Sequence, residues 1–252
     1  MDVLAITQAR TGSTRFPNKI LKTIKGKSLL EIHLKRILKS KKISKLVVAT
    51  TTKEEDKIIS EIAYKVGVES FKGSEHDVLD RYYNTAKKYN PKWIVRLTSD
   101  CPLIDARLID QVIKKAQSEN LDYCSNTLIE AYPDGQDIEV FKFKSLEIAW
   151  SKAKSISDRE HVTPYIKNNS SYLHGEIFKS NNFPSNKNYN KVRLTVDEQE
   201  DFKVIELLIN KLGIDSRWID YTNEYLKNNY ISSLNKNIKR NEGFRKSFDI
   251  DT

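Results

Sequence analysis

The sequence predicts an α/β domain built on a mainly parallel, mixed central sheet flanked by helices. Through the first half, apolar runs of strand length alternate with amphipathic helical stretches, the pattern of βαβ units. The 252 residues suffice for one large core and lie at the upper edge of what a single core fills. No linker is long enough to separate independent domains. We expect one domain over 1–231 and a basic C-terminal extension over 232–252, where apolar periodicity fades.

In chain order, residues 3–7 form the first strand. Ser28 and Glu31 make a capping box ahead of a helix striped by Leu30, Leu34, Ile37 and Leu38. Residues 46–49 give a second strand, Thr52 with Glu55 caps a second helix, and 69–72 is a short third strand. The helix over 76–89 buries Val78, Leu79, Tyr82 and Ala86. Residues 93–97 read as a central strand, followed by a helix striped by Leu108, Ile109, Val112 and Ala116. The second half is less regular: strands over 138–143, 172–178 and 192–196, helices over 146–154, 159–168 and 198–212, and an Asn/Ser-rich loop over 180–189.

Apolar residues make up 38% of the chain, and no run approaches the roughly 18 residues of a membrane span. The first residues form a strand, not a charged leader, so a cytoplasmic protein is expected. Cys101 and Cys124 sit in apolar contexts without metal-ligand spacing and are expected as free buried thiols. A net charge of +9 suits either nucleic acid or an anionic small molecule. Aromatics are not interleaved with the basic residues and no nucleic-acid motif occurs, so no nucleic-acid partner is expected. The one local basic cluster is 236–246. A homodimer is left open.

The most informative segment joins the first strand to Gln8-Ala9-Arg10-Thr11-Gly12-Ser13-Thr14-Arg15-Phe16-Pro17-Asn18-Lys19. Gly12, Ser13 and Thr14 let backbone N–H groups approach an anion closely. Arg10 and Arg15 offer planar donor forks, and Lys19 a movable point charge. Neither the dinucleotide nor the Walker glycine pattern fits. A solvated surface turn is the alternative.

Asp100 stands just beyond the carboxyl end of the strand over 93–97, where open α/β sheets place ligands. A carboxylate there can hold Mg²⁺, which binds through one or two carboxylates plus phosphate oxygens. Asp197 ends the 192–196 strand in the same way and is the natural second ligand. Capping competes with both: Asp105 or Asp100 can start a helix, and Asp197 with Glu200 makes an acceptable N-cap pair. Gly73-Ser74-Glu75-His76-Asp77 opens a helix whose N-terminus favours anions, with Ser74 and Asp77 as a capping box on the other account. Asp134, Gln136 and Glu139 lie on a strand of alternating polarity, and Arg159 and His161 stand two residues apart. Both patterns also suit ordinary surface.

Between residues 3 and 200 these segments occur in the order found in sugar-activating nucleotidyltransferases. The chain most resembles the cytidylyltransferases of the spore coat polysaccharide biosynthesis protein F family, relatives of the enzymes that make CMP-activated acidic sugars. Thr98-Ser99-Asp100-Cys101-Pro102-Leu103 is similar to that family's metal-binding segment, with Ser99 for the usual Gly. Asp197-Glu198-Gln199 is similar to its second acidic segment, with Glu-Gln for Thr-Pro, and Asn18 replaces the usual Gly before the loop lysine.

The resemblance implies a Rossmann-like nucleotidyltransferase fold, similar to that of A-type glycosyltransferases. It implies transfer of CMP from CTP to a sugar or sugar-acid hydroxyl, releasing pyrophosphate, for surface polysaccharide or glycan synthesis. The implied nucleotide-binding residues are Gln8, Ala9, Arg10, Gly12, Ser13, Arg15, Lys19, Gly73, Ser74, Asp77 and Arg81. Arg10, Lys19, Asp100 and Asp197 would be catalytic, with Mg²⁺ on Asp100 and Asp197. Asp134, Gln136, Glu139, Arg159 and His161 would bind a small hydroxylated, acidic acceptor, His161 being a candidate base. The competing class is a nucleotide-sugar-dependent glycosyltransferase. Such an enzyme holds a diphosphate and places paired acids close in sequence, whereas Asp100 has no acidic neighbour two positions away.

Overall fold

In the computed structural model, which describes residues 1–240, β1 (Val3–Gln8) runs into a long loop, and the hairpin of β2 (Thr23–Ile24) and β3 (Lys27–Ser28) leads to α1 (Leu29–Ile37). The alternation continues through β4 (Lys45–Thr51), α2 (Lys57–Lys65), β5 (Glu69–Gly73), α3 (Val78–Tyr89), β6 (Trp93–Thr98) and α4 (Ala106–Ser118). The second half adds β7 (Tyr123–Ser125), β8 (Glu139–Lys142), α5 (Phe143–Lys152), α6 (Ile156–His161), α7 (Pro164–Asn168), β9 (Ser180–Asn182), α8 (Gln199–Leu212), α9 (Trp218–Lys227) and α10 (Asn229–Asn235).

Apart from the β2–β3 hairpin, the strands form one sheet in the order β5-β4-β1-β6-β8-β7-β9. β5, β4, β1 and β6 are parallel, and β8 runs antiparallel to both β6 and β7. The sheet is thus mixed and mainly parallel, as the alternation predicts. Val3, Ala5, Val48 and Val95 pack on one face against α1 and α4, while Leu4, Ile6, Val47 and Ile94 pack on the other against α3 and α5. Burial on both faces is why these strands read as unbroken apolar runs. Ser28 caps α1 as expected, accepting from Glu31 N at 3.1 Å, but Leu38 lies past the helix end and is exposed. Both cysteines are free and buried. Among the described residues no helix is long and apolar enough to cross a membrane.

Several local expectations give way to tertiary contacts. Thr52 and Glu55 do not cap α2: residues 54–56 form a 3-10 turn and Asp56 precedes the helix with its carboxylate turned inward. Asp77 caps α3, accepting from Asp80 N at 2.8 Å, while Ser74 closes the turn before it. The helix expected over 159–168 is split by Val162, at φ 73°, and by Pro164, which starts α7. Residues 172–178 are not a strand. Ser171–Leu173 is a 3-10 turn followed by left-handed His174, and β9 falls in the stretch expected to be loop.

Residues 192–196 do not join the sheet either, because β8 already occupies that side of β6. The segment runs extended beside it: Asp134 N donates to Val192 O at 3.0 Å, Leu194 N to Asp134 O at 2.7 Å and Val196 N to Asp100 O at 2.8 Å. Val192, Leu194 and Val196 pack instead into a third core with α8, α9 and α10. α10 crosses position 231, where the sequence places the start of an extension, and Asn235 is buried. The rest of the expected extension, 241–252, lies outside the described residues.

Gly135 seals this junction. It has φ 104°, and a Cβ there would stand 2.6 Å from Leu194 C and 2.7 Å from Thr195 N. Gly135→Ala is therefore expected to cost about 2 kcal/mol or more, by strain and by backbone displacement. A thermal melt that matches the parent would refute the tight approach.

Candidate active site

The carboxyl ends of β1 and β6 open into a cleft of about 940 Å³, where open α/β sheets bind ligands. Gln8, Ala9, Arg10, Ser13, Arg15, Lys19, Arg81, Asp100, Asp134, Glu139, His161 and Asp197 line it together. Gly12, Gly73, Ser74, Asp77, Gln136 and Arg159 do not.

The phosphate-type loop is fixed from beneath. Buried Asp56 accepts from Thr11 N and Thr11 Oγ1, both at 2.7 Å, and from Thr51 Oγ1. Asn18 adopts φ 56°, a left-handed conformation that Asn tolerates better than most residues. The departure from Gly therefore keeps the turn that delivers Lys19.

The turn carrying Asp100 is held by buried His33. Its Nδ1 donates to Cys101 O and its Nε2 accepts from Thr7 Oγ1, both at 2.8 Å; the carbonyl can only accept, which sets the tautomer. Burial pushes His33 down from 6.5 to about 4. The folded state prefers the neutral ring, so the unfolded chain takes up the proton first as pH falls. This group's stabilisation is complete above pH 6.5 and is lost as pH falls to about 4, roughly 3 kcal/mol in all. His33→Gln should flatten that loss, read from urea midpoints at several pH values across the window. Equal slopes in the two proteins would refute it.

Lys19 is the centre of the cleft. Its Nζ donates to Asp197 Oδ1 and Val196 O, each at 2.7 Å, and lies 3.8 Å from Asp100 Oδ2. Arg15 Nη2 lies 3.1 Å from the same Asp197 oxygen, and its Nη1 lies 3.2 Å from Glu198 Oε1. Arg193 donates to Asp197 Oδ2 at 3.1 Å while also holding Asp134 at 2.7 Å and Asp201 at 2.8 Å. Burial pushes the Asp197 carboxyl up, but Lys19, Arg15 and Arg193 outweigh it and hold the group at about 2.

Asp197 does not cap α8. That role falls to Glu198 with Asp201, Glu198 N donating to Asp201 Oδ2 at 3.0 Å. Asp105 caps α4, accepting from Arg107 N at 2.8 Å, which leaves Asp100 to the cleft. Two carboxylates thus converge on one cation. Among the described residues no three His, Cys, Asp or Glu side chains form a ready-made metal cage. An ion on Asp100 and Asp197 would take its remaining ligands from phosphate and water, the usual habit of Mg²⁺.

Gly73 and Ser74 shape the cleft through Arg81. A Cβ on Gly73 would stand 2.9 Å from Arg81 Cγ, and Arg81 Nη1 donates to Ser74 O. Arg81 Nε and Gln8 Oε1 are buried without a hydrogen-bond partner among the described residues. On the opposite wall, Arg96 of β6 donates to Glu139 Oε2 at 2.6 Å, and Glu139 Oε1 accepts from Tyr123 OH at 2.6 Å and Thr163 Oγ1 at 2.7 Å. Burial pushes Glu139 up, yet Arg96 and the hydroxyls hold it below its ordinary range. His161 and Thr163 reach the cleft from either side of Val162. With φ 73°, ψ −52° and Thr163 N donating to His161 O at 2.8 Å, this is a γ-turn of the rare, strained hand. Burial and then Arg96 lower the His161 pKa, which keeps the ring neutral and able to accept a proton.

Two residues expected to touch the acceptor are engaged elsewhere. Gln136 is buried, its Oε1 accepting from Asp105 N at 3.1 Å and its Nε2 donating to Leu103 O at 2.9 Å. Arg159 pairs with Asp77 at 2.6 Å and donates to Trp150 O and Ala153 O. Both brace the walls. Asp56, Arg96 and Arg193 were missed by sequence reasoning. For the two arginines the one available signal was a charge inside an apolar run, since a buried charge must be paired.

The chain matches the family model described as cytidylyltransferase over residues 4–238. It is 36% identical over 218 residues to the spore coat polysaccharide biosynthesis protein SpsF of Bacillus subtilis, covering 84% of this chain and 88% of that one. A cytidylyltransferase structure from Leptospira borgpetersenii superposes with a TM-score of 0.86 at 34% identity, covering 95% of this chain and 98% of that one. A CMP:2-keto-3-deoxy-manno-octonic acid synthetase complexed with CTP shares the fold, with a TM-score of 0.63 at 15% identity over 84% of this chain and 99% of that one. With the nucleotidyltransferase fold and motifs matched nearly end to end, the chain belongs to the cytidylyltransferase family.

Proposed function

We propose that this chain transfers CMP from CTP to the hydroxyl of a sugar or sugar acid, releasing pyrophosphate. The observation that carries this is the seat of Lys19 between Asp100 and Asp197, on a loop that also brings Arg10 and Arg15 to the cleft. The CTP complex of the related synthetase and the polysaccharide role named for the Bacillus protein support it. Dependence on CTP would place the protein in the cytoplasm.

In this reading Arg10, Arg15 and Lys19 hold the triphosphate, Gln8, Ala9 and Ser13 border the nucleoside, and Arg81 stands beside it. Asp100 and Asp197 would hold Mg²⁺, a fit supported by their convergence on the Lys19 ammonium. When bound, the ion neutralises triphosphate charge and lowers the pKa of a coordinated hydroxyl. The chain's own groups position the rest. Asp134 and Glu139 orient the acceptor, and His161 takes the proton of the attacking hydroxyl. Its oxygen bonds to the α-phosphorus as the bond to the bridging oxygen breaks and pyrophosphate leaves.

Mass-spectrometric screening of CTP with sugars and sugar acids tests this. A CMP conjugate and pyrophosphate are expected, with CTP exceeding UTP, ATP and GTP. Equal turnover with UTP would overturn the assignment to CTP, and cleavage of a ready-made nucleotide sugar in preference to CTP would put the glycosyltransferase reading first.

A further inference from the structure

Four carboxylates of one stretch, Glu130, Asp134, Asp137 and Glu139, line the acceptor side of the cleft. Carboxylates gathered in one partly dry wall raise one another's pKa. Each therefore needs a counter-charge to stay ionised. Two come from inside the domain, Arg96 on Glu139 at 2.6 Å and Arg193 on Asp134 at 2.7 Å.

The third comes from the C-terminal segment. Arg240 lies two residues past the stretch that the family model matches. Its Nη2 donates to Asp137 Oδ1 at 2.7 Å and its Nη1 to Tyr132 O at 3.1 Å. Its Nε lies 3.7 Å from Glu130 Oε1 and 4.0 Å from Asp134 Oδ1, with 12% of the side chain exposed. All four partners belong to the 130–137 loop. α10 brings the segment there, Asn235 Nδ2 donating to Asp201 Oδ1 at 2.9 Å and Arg193 O at 3.2 Å. Arg240 and Arg193 thus support the same wall from behind.

We propose that Arg240 is a positioning residue of the acceptor site, holding the 130–137 loop so that the carboxyl groups of Asp134 and Asp137 face the second substrate. Arg240 does not line the cleft and acts only through these groups. Carboxyl oxygens predominate on this wall, so the chemistry it suits is a polyhydroxylated or amino-substituted face of the acceptor. Burial, and then Asp137 and Asp197, push Asp134 up to about 7, with Arg240 and Arg193 offsetting only part of the rise; burial, Glu139 and Asp100 raise Asp137 likewise against Arg240.

The inference rests on the proposed transfer reaction. Its test compares full-length Arg240→Gln and Arg240→Lys with the parent, by calorimetric titration of CTP and by kinetics on the acceptor giving most pyrophosphate in the screen above. The Gln variant should keep CTP affinity within about twofold while its acceptor KM rises about tenfold, the low end of what loss of an outer-layer partner costs. Its kcat should change less than its KM, and Lys should restore most of the loss. An unchanged acceptor KM overturns the proposal. So does a parallel loss of CTP affinity, or a Lys variant no better than Gln, since either makes Arg240 a general support of the fold. A parent chain that binds no CTP, or forms no CMP conjugate, overturns the transfer reading itself and this inference with it.

Discussion

Asp100→Asn is expected to lower turnover about 10³-fold with an unchanged melting temperature, the rate loss equivalent to roughly 4 kcal/mol of missing charge stabilisation. The amide is nearly isosteric but lacks the charge that a hard cation prefers. Among the described residues, Lys19 at 3.8 Å is the cation paired with Asp100, too distant for a hydrogen bond, so little stability rides on it. Asp197→Asn should match the loss of turnover but also cost about 1–2 kcal/mol of stability, because Lys19, Arg15 and Arg193 all lose a shared counter-charge. Initial rates at saturating CTP, paired with thermal melts, separate the two. Full activity in Asp100→Asn would remove that carboxylate from the chemistry.

Lys19→Ala should act in opposite directions on two ligands. CTP affinity is expected to fall about 10- to 100-fold, the size of one or two lost charge-assisted contacts to phosphate. Mg²⁺ affinity of the nucleotide-free protein should rise, because the ammonium and the metal compete for the same oxygens of Asp100 and Asp197. Calorimetry measures both. An unchanged CTP dissociation constant would exclude Lys19 from the triphosphate, and unchanged Mg²⁺ binding would exclude the competition.

The parallel half of the fold was legible because its strands are buried on both faces and its helices carry clear stripes. The segment over 192–196 was misread for a physical reason. Its alternation of Val192, Leu194 and Val196 is real, but it packs against α8–α10 rather than pairing in the sheet. Asp197 lines the cleft, although its segment is placed there by backbone hydrogen bonds of Leu194 to Asp134 and Val196 to Asp100 rather than by strand alignment. Ser28 and Asp105 cap as their sequence suggests; Thr52 and Ser74 do not, since a 3-10 turn over 54–56 intervenes before α2 and Asp77 stands next to α3. Gln136 and Arg159 could not be told from Glu139 and His161, because polarity along a chain says nothing of which partner a side chain meets. The reach of Arg240 to Asp137 spans 103 residues. No local pattern encodes it.

The same long reach governs how the cleft is assembled. Thr195 Oγ1 donates to Asp100 O across 95 residues, and Lys19 meets Asp197 across 178. Closing such loops is entropically costly until the remaining core is in place. β1, β4 and β5, neighbours in the sheet and close in sequence, are expected to gain amide protection first, and the 192–197 segment last, an order that pulse-labelled hydrogen exchange can read. A chain emerging from the ribosome therefore presents the loop over 8–19 well before Asp197, and on the proposed reading a nascent fragment ending short of Asp197 would hold the anion-binding half of the site without the means to use it.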